Sequence, residues 1–263
     1  MFKKLRSVIG KLLNENQQMI IVMYLSDFFW FLRKYFLSVH IEYPNEFLKN
    51  WSLIRNNSSQ DKERNFTVYQ MIKVHNEVFS AKKTNIIEFG VDRGGTLSTI
   101  CNFVKHDTEI IALDSFGFYA ENIKDSVTNY DPHYLGKYKP FTKKTRFKDF
   151  DYLYLEKKLN ENLIKKNSKL SMIRCHFPDK IDKKDLDIIN SKKYSFVHID
   201  FDLYKPTIEA IKFIIPRLDK HAIVLFDDYN FINQEGVKCA VRDSRMNLNK
   251  SIQTQSGQLI CWS

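Results

Sequence analysis

Cysteine is scarce: the four residues in 263, Cys101, Cys175, Cys239 and Cys261, stand far apart and form no CxxC pair. Such spacing suggests neither a zinc site nor a dense disulfide framework, and a reducing cytoplasm is the expected setting. Acidic residues are also short, 31 against 41 Lys and Arg, giving a net charge of +10. That balance favours anionic partners such as phosphate, nucleic acid or an acidic membrane surface, without choosing among them. Long apolar runs are missing as well. The stretch "MIIVMYLSDFFWFLRKYFLS" is broken by Asp27, Arg33 and Lys34, short of the roughly 20 mainly apolar residues of a spanning helix. No small-residue cleavage site follows a clean apolar core, which argues against a signal peptide. Internal repeats and low-complexity tracts are not evident.

What is present is 43% hydrophobic and 14% aromatic content, enough to bury a sizeable core in one domain with an added segment. The added segment is residues 1–60, expected to form one or two amphipathic helices capping the main domain. A sharper reading attaches it peripherally to an anionic inner membrane face through Lys3, Lys4, Arg6, Lys11 and the nearby aromatics. The polar stretch "RNNSSQDKERN", residues 55–65, separates it from a main domain at 61–263.

Beyond this boundary "FTVYQMIKVHNEVFSA" has helical spacing. Short apolar runs then alternate with longer helical patterns. The runs are "NIIEFG" (85–90), "EIIALD" (109–114), "LSMIRC" (170–175), "SFVHID" (195–200) and "AIVLFDD" (222–228). Most lack polar alternation, as expected of parallel strands covered on both faces. Between them lie the helical patterns "GGTLSTICNFVK", "DYLYLEKKLNENLIKK", "KKDLDIIN" and "PTIEAIKFIIPRL", the last with Pro206 in its first turn. Alternation of this kind predicts an α/β fold with a doubly wound, mostly parallel sheet. The aromatic and basic stretch 116–150 breaks the alternation and is read as an acceptor-site lid.

Ligands of such sheets sit beyond the carboxyl ends of the strands, so the polar residues ending each run are the candidates. The first run ends in Glu88 and Gly90, with Gly94 and Gly95 opening a helix and Thr96 near its start. Glycines here let a cofactor approach the backbone. The second run ends in Asp114, placed to accept hydrogen bonds from both hydroxyls of a ribose. A dinucleotide fingerprint would read GxGxxG. Here Asp92 stands where the middle glycine would admit a pyrophosphate, so a cofactor with a cationic centre, a sulfonium or an amine, fits better. Asp200 and Asp202 end the fourth run, Asp227 and Asp228 the fifth. Adjacent strands lie about 4.8 Å apart, so these carboxylates can share a hard divalent cation, by default magnesium.

The motifs "IIEFGVDRGGTLS", "ALDSF", "HIDFDLYKPTIEAI" and "FDDYN" followed by "GVKCAVRD" resemble, in order and spacing, those of the macrocin O-methyltransferase family over residues 65–263. The resemblance implies a seven-stranded class I methyltransferase fold that uses S-adenosyl-L-methionine and Mg2+ to methylate sugar hydroxyls. Glu88, Gly90 and Asp114 would contact the cofactor, with Ser115, His176 and Phe177 near its adenine. Asp202, Asp227 and Asp228 would hold the metal, and Asp200 would serve as general base or as a further metal ligand. His198 and Phe201 replace the arginine and glycine more usual around the aspartate pair, and within its strand His198 reads as a core histidine.

The expected function is therefore methyl transfer to a sugar hydroxyl of a glycan, glycolipid or glycosylated natural product. The expected partner is a sugar-containing acceptor, nucleotide-linked or lipid-linked, with no nucleic acid; a homo-oligomer is left open. A vicinal-diol or catecholic acceptor would satisfy the same chemistry, and a non-catalytic glycan-binding relative is the remaining alternative. The missing GxGxxG counts against a nicotinamide oxidoreductase, and the lack of an NPPY motif counts against nucleic-acid methylation.

Overall fold

The five apolar runs form five parallel strands: β1 Thr84–Phe89, β2 Thr108–Asp114, β3 Lys169–Arg174, β4 Tyr194–Ile199 and β5 Leu218–Phe226. Their apolar residues are almost wholly buried, as both faces of the sheet are covered. Two short strands, β6 Ser251–Gln253 and β7 Leu259–Trp262, add an antiparallel hairpin at the β5 edge. The sheet order is β3-β2-β1-β4-β5-β7-β6, which puts the reversal of strand order between β1 and β4, where an open α/β sheet binds its ligands. This is the Rossmann-like class I methyltransferase architecture.

The computed structural model describes residues 42–56, 58, 60–117, 126–131, 147, 149–231 and 234–263. Residues 1–41 of the 1–60 segment expected to be helical, with Lys3, Lys4, Arg6 and Lys11, and most of the 116–150 lid lie outside the described residues. By compactness the chain divides into two units, Met1–Pro44 and Asn45–Ser263. Helix α1, Asn45–Ile54, belongs to the second unit: Phe47 is buried against Phe66 and Tyr69, and Asn50 Nδ2 donates to Thr99 Oγ1 at 3.0 Å. No described helix is long and apolar enough to cross a membrane.

Helix α2, Lys62–Val78, begins inside the polar stretch read from sequence as a separator. Asp61 caps it, its carboxylate accepting from Arg64 N at 2.9 Å. Arg64, Val68, Ile72 and His75 recur at helical spacing and are all buried, so this face of α2 lies on the sheet. With α3, Gly95–Phe103, and α4, Tyr152–Leu163, it covers one side. Helices α5, Lys183–Asn190, α6, Tyr204–Ile214, and α7, Glu235–Asp243, bear on the other. Helix α1 falls within the 1–60 segment expected to be helical, whereas α7 was not anticipated as a helix from the sequence.

The β3 edge is closed by side chains of α4. Leu170 N donates to Asn160 Oδ1 at 2.8 Å, Asn160 Nδ2 donates to Leu170 O at 3.0 Å, and Met172 N donates to Glu156 Oε1 at 2.7 Å. These bonds satisfy edge groups that would otherwise invite another strand. Asn160→Ala should lower stability by about 1–2 kcal/mol, the worth of two backbone partners in a part-buried place. Urea unfolding checks this, and a loss below a few tenths of a kcal/mol would mean that water replaces the amide at no cost.

Candidate active site

The site forms where β1, β4 and β5 end side by side. Glu88 lies opposite His198, Phe89 opposite Ile199, and Ile199 opposite Phe226. The ladder runs one step further, with Asp200 N donating to Phe89 O at 2.7 Å and Asp227 N to Ile199 O at 3.0 Å. Because side chains alternate, Glu88, His198, Asp200 and Asp227 are aimed at the face that α2 covers.

Three carboxylates meet there. One oxygen each from Asp200, Asp202 and Asp228 lie within 4.8 Å of one another. Asp202 adopts a left-handed φ of 61° in the turn between β4 and α6, a conformation that aspartate tolerates better than most residues. Burial, then the charges of Asp227 and Asp202, hold the Asp200 carboxyl well above the usual range. Asp228 is raised likewise by burial, Asp227 and Asp200.

Asp227, expected as a fourth metal ligand, is engaged elsewhere. Its carboxylate accepts from Arg64 Nη2 and, at 2.7 Å, from Gln258 Nε2, and His198 Nε2 stands 3.9 Å from its Oδ1. The strand's alternation explains this, since residue 227 continues the inward face of β5 beneath α2. Burial alone would raise its carboxyl, but Arg64 and His198 outweigh burial and hold it below the usual range. Arg64 Nη2 also donates to Asp228 Oδ1, and its guanidinium lies 4.9 Å from the Phe231 ring centroid. This arginine went unread in the sequence. Its signal is a charge in line with an apolar stripe, four residues before Val68 and eight before Ile72.

Beneath the acids lies a second buried pair. His198 Nδ1 is 2.9 Å from Glu88 Oε1, and neither residue is exposed. Burial lowers the His198 pKa, but Asp227 and Glu88 prevail and push it up to about 10. His198 is thus a core histidine, as its position within the strand suggested. Glu88, expected to contact a cofactor, is instead enclosed under α2.

The glycine turn joins this acid site without a gap. Gly90 has φ 85°, and a Cβ on it would stand 2.0 Å from the Asp200 carbonyl oxygen, so only glycine lets β1 end against β4. Gly94, with φ 81°, precedes α3, and a Cβ there would strike Leu155 Cδ2. Asp114 fastens the turn: its Oδ2 accepts from Val91 N at 2.7 Å and Asp92 N at 2.8 Å, and its Oδ1 from Phe116 N at 2.6 Å. A carboxylate has about four acceptor sites, and Ser115 Oγ takes the fourth in a long contact of 3.5 Å to Oδ1, so a further donor would have to replace that hydroxyl.

A sequence profile described as "Methyltransferase domain" matches residues 87–229, more than half of the chain and a span that holds the glycine turn, Asp114 and all four strand-end aspartates. The chain belongs to the methyltransferase-domain family. No curated protein matches this methyltransferase. Among solved structures it is similar to CalS11, a calicheamicin methyltransferase, with 17% identity, a TM-score of 0.52, and coverage of 84% of this chain and 94% of that one. It is also similar to the O-methyltransferase NovP, with 16% identity, a TM-score of 0.51, and coverage of 78% and 81%. At these identities the likeness is one of fold.

The other expected positions of the methyltransferase are spread around the turn, the start of α3 and the end of β3. Gly90, Gly94, Asp114 and Ser115 line the turn, with Ser115 Oγ 3.5 Å from Asp114 Oδ1. Thr96 is buried in the first turn of α3. His176 Nε2 is 3.1 Å from Ser126 Oγ in the described part of the lid stretch. Phe177 is 5% exposed and packs on Phe89, Phe201 and Phe213, so it serves the core beneath the cleft.

Proposed function

We propose that this methyltransferase transfers the methyl group of S-adenosyl-L-methionine to a hydroxyl of a sugar-containing acceptor, with Mg2+ as the metal. The observation that carries this reading is the direct contact of two features: Gly90 of the cofactor turn packs on the backbone of Asp200, the residue that heads the acid trio. A donor site and a proton-accepting site are thereby contiguous, as methyl transfer to oxygen requires. The family resemblance of the "HIDFDLYKPT" and "FDDYN" motifs supports a sugar as acceptor, and a nucleotide-linked or lipid-linked sugar suits the basic chain.

The donor set fits a hard divalent cation. It consists of oxygen alone, and the Asp200 and Asp228 carboxyls are raised first by burial and then by neighbouring carboxylates, Asp227 foremost, a cost that such an ion relieves. Asp200, Asp202 and Asp228 would hold it, and when bound it would supply Lewis-acid activation of a hydroxyl and its orientation. Asp200 takes the hydroxyl proton at its carboxylate while the oxygen's electron pair forms the C–O bond and the C–S bond breaks, leaving S-adenosylhomocysteine. Asp114 fixes the glycine turn and accepts from a ribose hydroxyl in place of the long Ser115 contact. Asp228 is buried while Asp200 and Asp202 are half-buried, which leaves the trio open to an acceptor on one side.

S-adenosylmethionine at about 100 times its dissociation constant should stabilise the protein by about 2.7 kcal/mol, whereas NAD should leave the melting temperature unchanged. Methyl transfer to a panel of nucleotide-linked and lipid-linked sugars should stop on chelation and return with Mg2+. Turnover indifferent to chelator would overturn the metal, and stabilisation by NAD alone would overturn the donor.

A further inference from the structure

Beside the acid trio stand two glutamines with half of each amide unused. Gln60, in the turn that leads into α2, donates from Nε2 to Asp200 Oδ2 at 3.3 Å. Gln234, just ahead of α7, donates from Nε2 to Asp202 Oδ1 at 2.9 Å. Gln60 is 5% exposed, and its Oε1 is buried with no hydrogen-bond partner among the described residues; Gln234 is half-buried as a residue, but its Oε1 is likewise shielded and without a partner among them. A buried amide oxygen left without a donor is destabilising, and two of them around one group of carboxylates call for a common cause. Water-facing glutamines would not present this pattern, and a purely structural amide would use both ends.

A cation supplies that cause. Amide oxygens are ordinary ligands of hard divalent ions, alongside carboxylates. The same side chain can offer NH2 to a lone carboxylate and, after rotation about its last bond, its oxygen to an ion shared with that carboxylate. The two glutamines approach from separate elements and engage different members of the trio, so neither displaces the other. We propose that Gln60 and Gln234 are additional metal ligands through Oε1, raising the side chains available to the ion from three to five and turning their amides over as it binds. This inference rests on the metal reading above.

Direct Mn2+ binding to the full-length protein, followed by the loss of the free-ion electron paramagnetic resonance signal, tests the assignment without any turnover. Gln60→Leu and Gln234→Leu should each weaken Mn2+ binding at least tenfold, while Gln60→Glu, which keeps an oxygen ligand, should bind at least as tightly as the unaltered protein. If the glutamines only shield the carboxylates, Gln60→Leu would bind Mn2+ equally well or better, which would overturn the inference and leave the metal reading intact. Failure of the unaltered protein to bind Mn2+ would overturn both. Should Gln60→Leu not fold, Gln60→Glu decides: retained affinity supports the assignment, and a loss beyond threefold ends it.

Discussion

Asp200→Asn is expected to lower kcat by about 10²–10⁴-fold while leaving the fold intact and, in chelator, somewhat more stable. The two effects share one cause. Asp200 holds its place by the main chain, its N–H bonded to Phe89 O, so the side chain can change without moving the strand. Its carboxyl is raised by burial and by Asp227 and Asp202, which means that the ionised form is disfavoured in the folded protein. A carboxyl raised above its unfolded value subtracts from stability once the pH exceeds that unfolded value. An uncharged isostere removes the penalty near neutral pH, and the gain over the parent should fade as the pH falls toward about 4. Methyl transfer and urea unfolding measured on the same preparation separate the effects. If kcat stays within threefold, Asp200 is neither base nor ligand. If both activity and stability collapse, the residue is structural.

Much of the fold was legible because both-face burial leaves a plain mark. Runs such as "NIIEF" and "SFVHI" have no polar alternation, and "KKDLDIIN" matches α5 from end to end. The strand-end acids were legible for the same reason, since a carboxylate directly after a buried run has few places to go except the ligand edge. Depth along a strand was harder to read. Glu88 lies one residue short of the end and is claimed by His198 across the register, whereas Asp200 lies just past it. Asp227 and Asp228 are neighbours in sequence, yet pleating sends one beneath α2 and the other to the trio. Arg64 and Gln60 were hidden by their surroundings. Polar composition at 55–65 looks like a linker, and only tertiary packing shows that Asp61 starts a helix there and that α2 carries its arginine onto β5. The β6–β7 hairpin is too short, with three residues in β6, for periodicity to register.

Arg64→Met should lower stability by about 3–5 kcal/mol, the usual consequence of breaking a buried ion pair from one side. Arg64 is 7% exposed, and the carboxylates it serves, Asp227 and Asp228, are 1% and 3% exposed. Its loss strands two negative charges where water does not reach them, beside a third on Asp200 whose charge Arg64 also offsets. Methionine fills much of the same volume, so the loss is electrostatic rather than a cavity effect. Acidity gives the decisive signature. In the parent, Asp227 is held below its unfolded value, so its contribution is present above about 3.9 and disappears as the pH falls through the lower folded value. Without Arg64 the same carboxyl is raised by burial, and ionisation then opposes folding. The stability gap between parent and variant should therefore be widest near neutrality and shrink toward pH 4. Adding Asp228→Asn to Arg64→Met should recover part of the loss, because one stranded charge is removed. Urea unfolding from pH 4 to pH 8 measures all three proteins. A gap below 1 kcal/mol at pH 7, or one that does not depend on pH, would mean that Asp227 is neutralised by His198 and Gln258 alone.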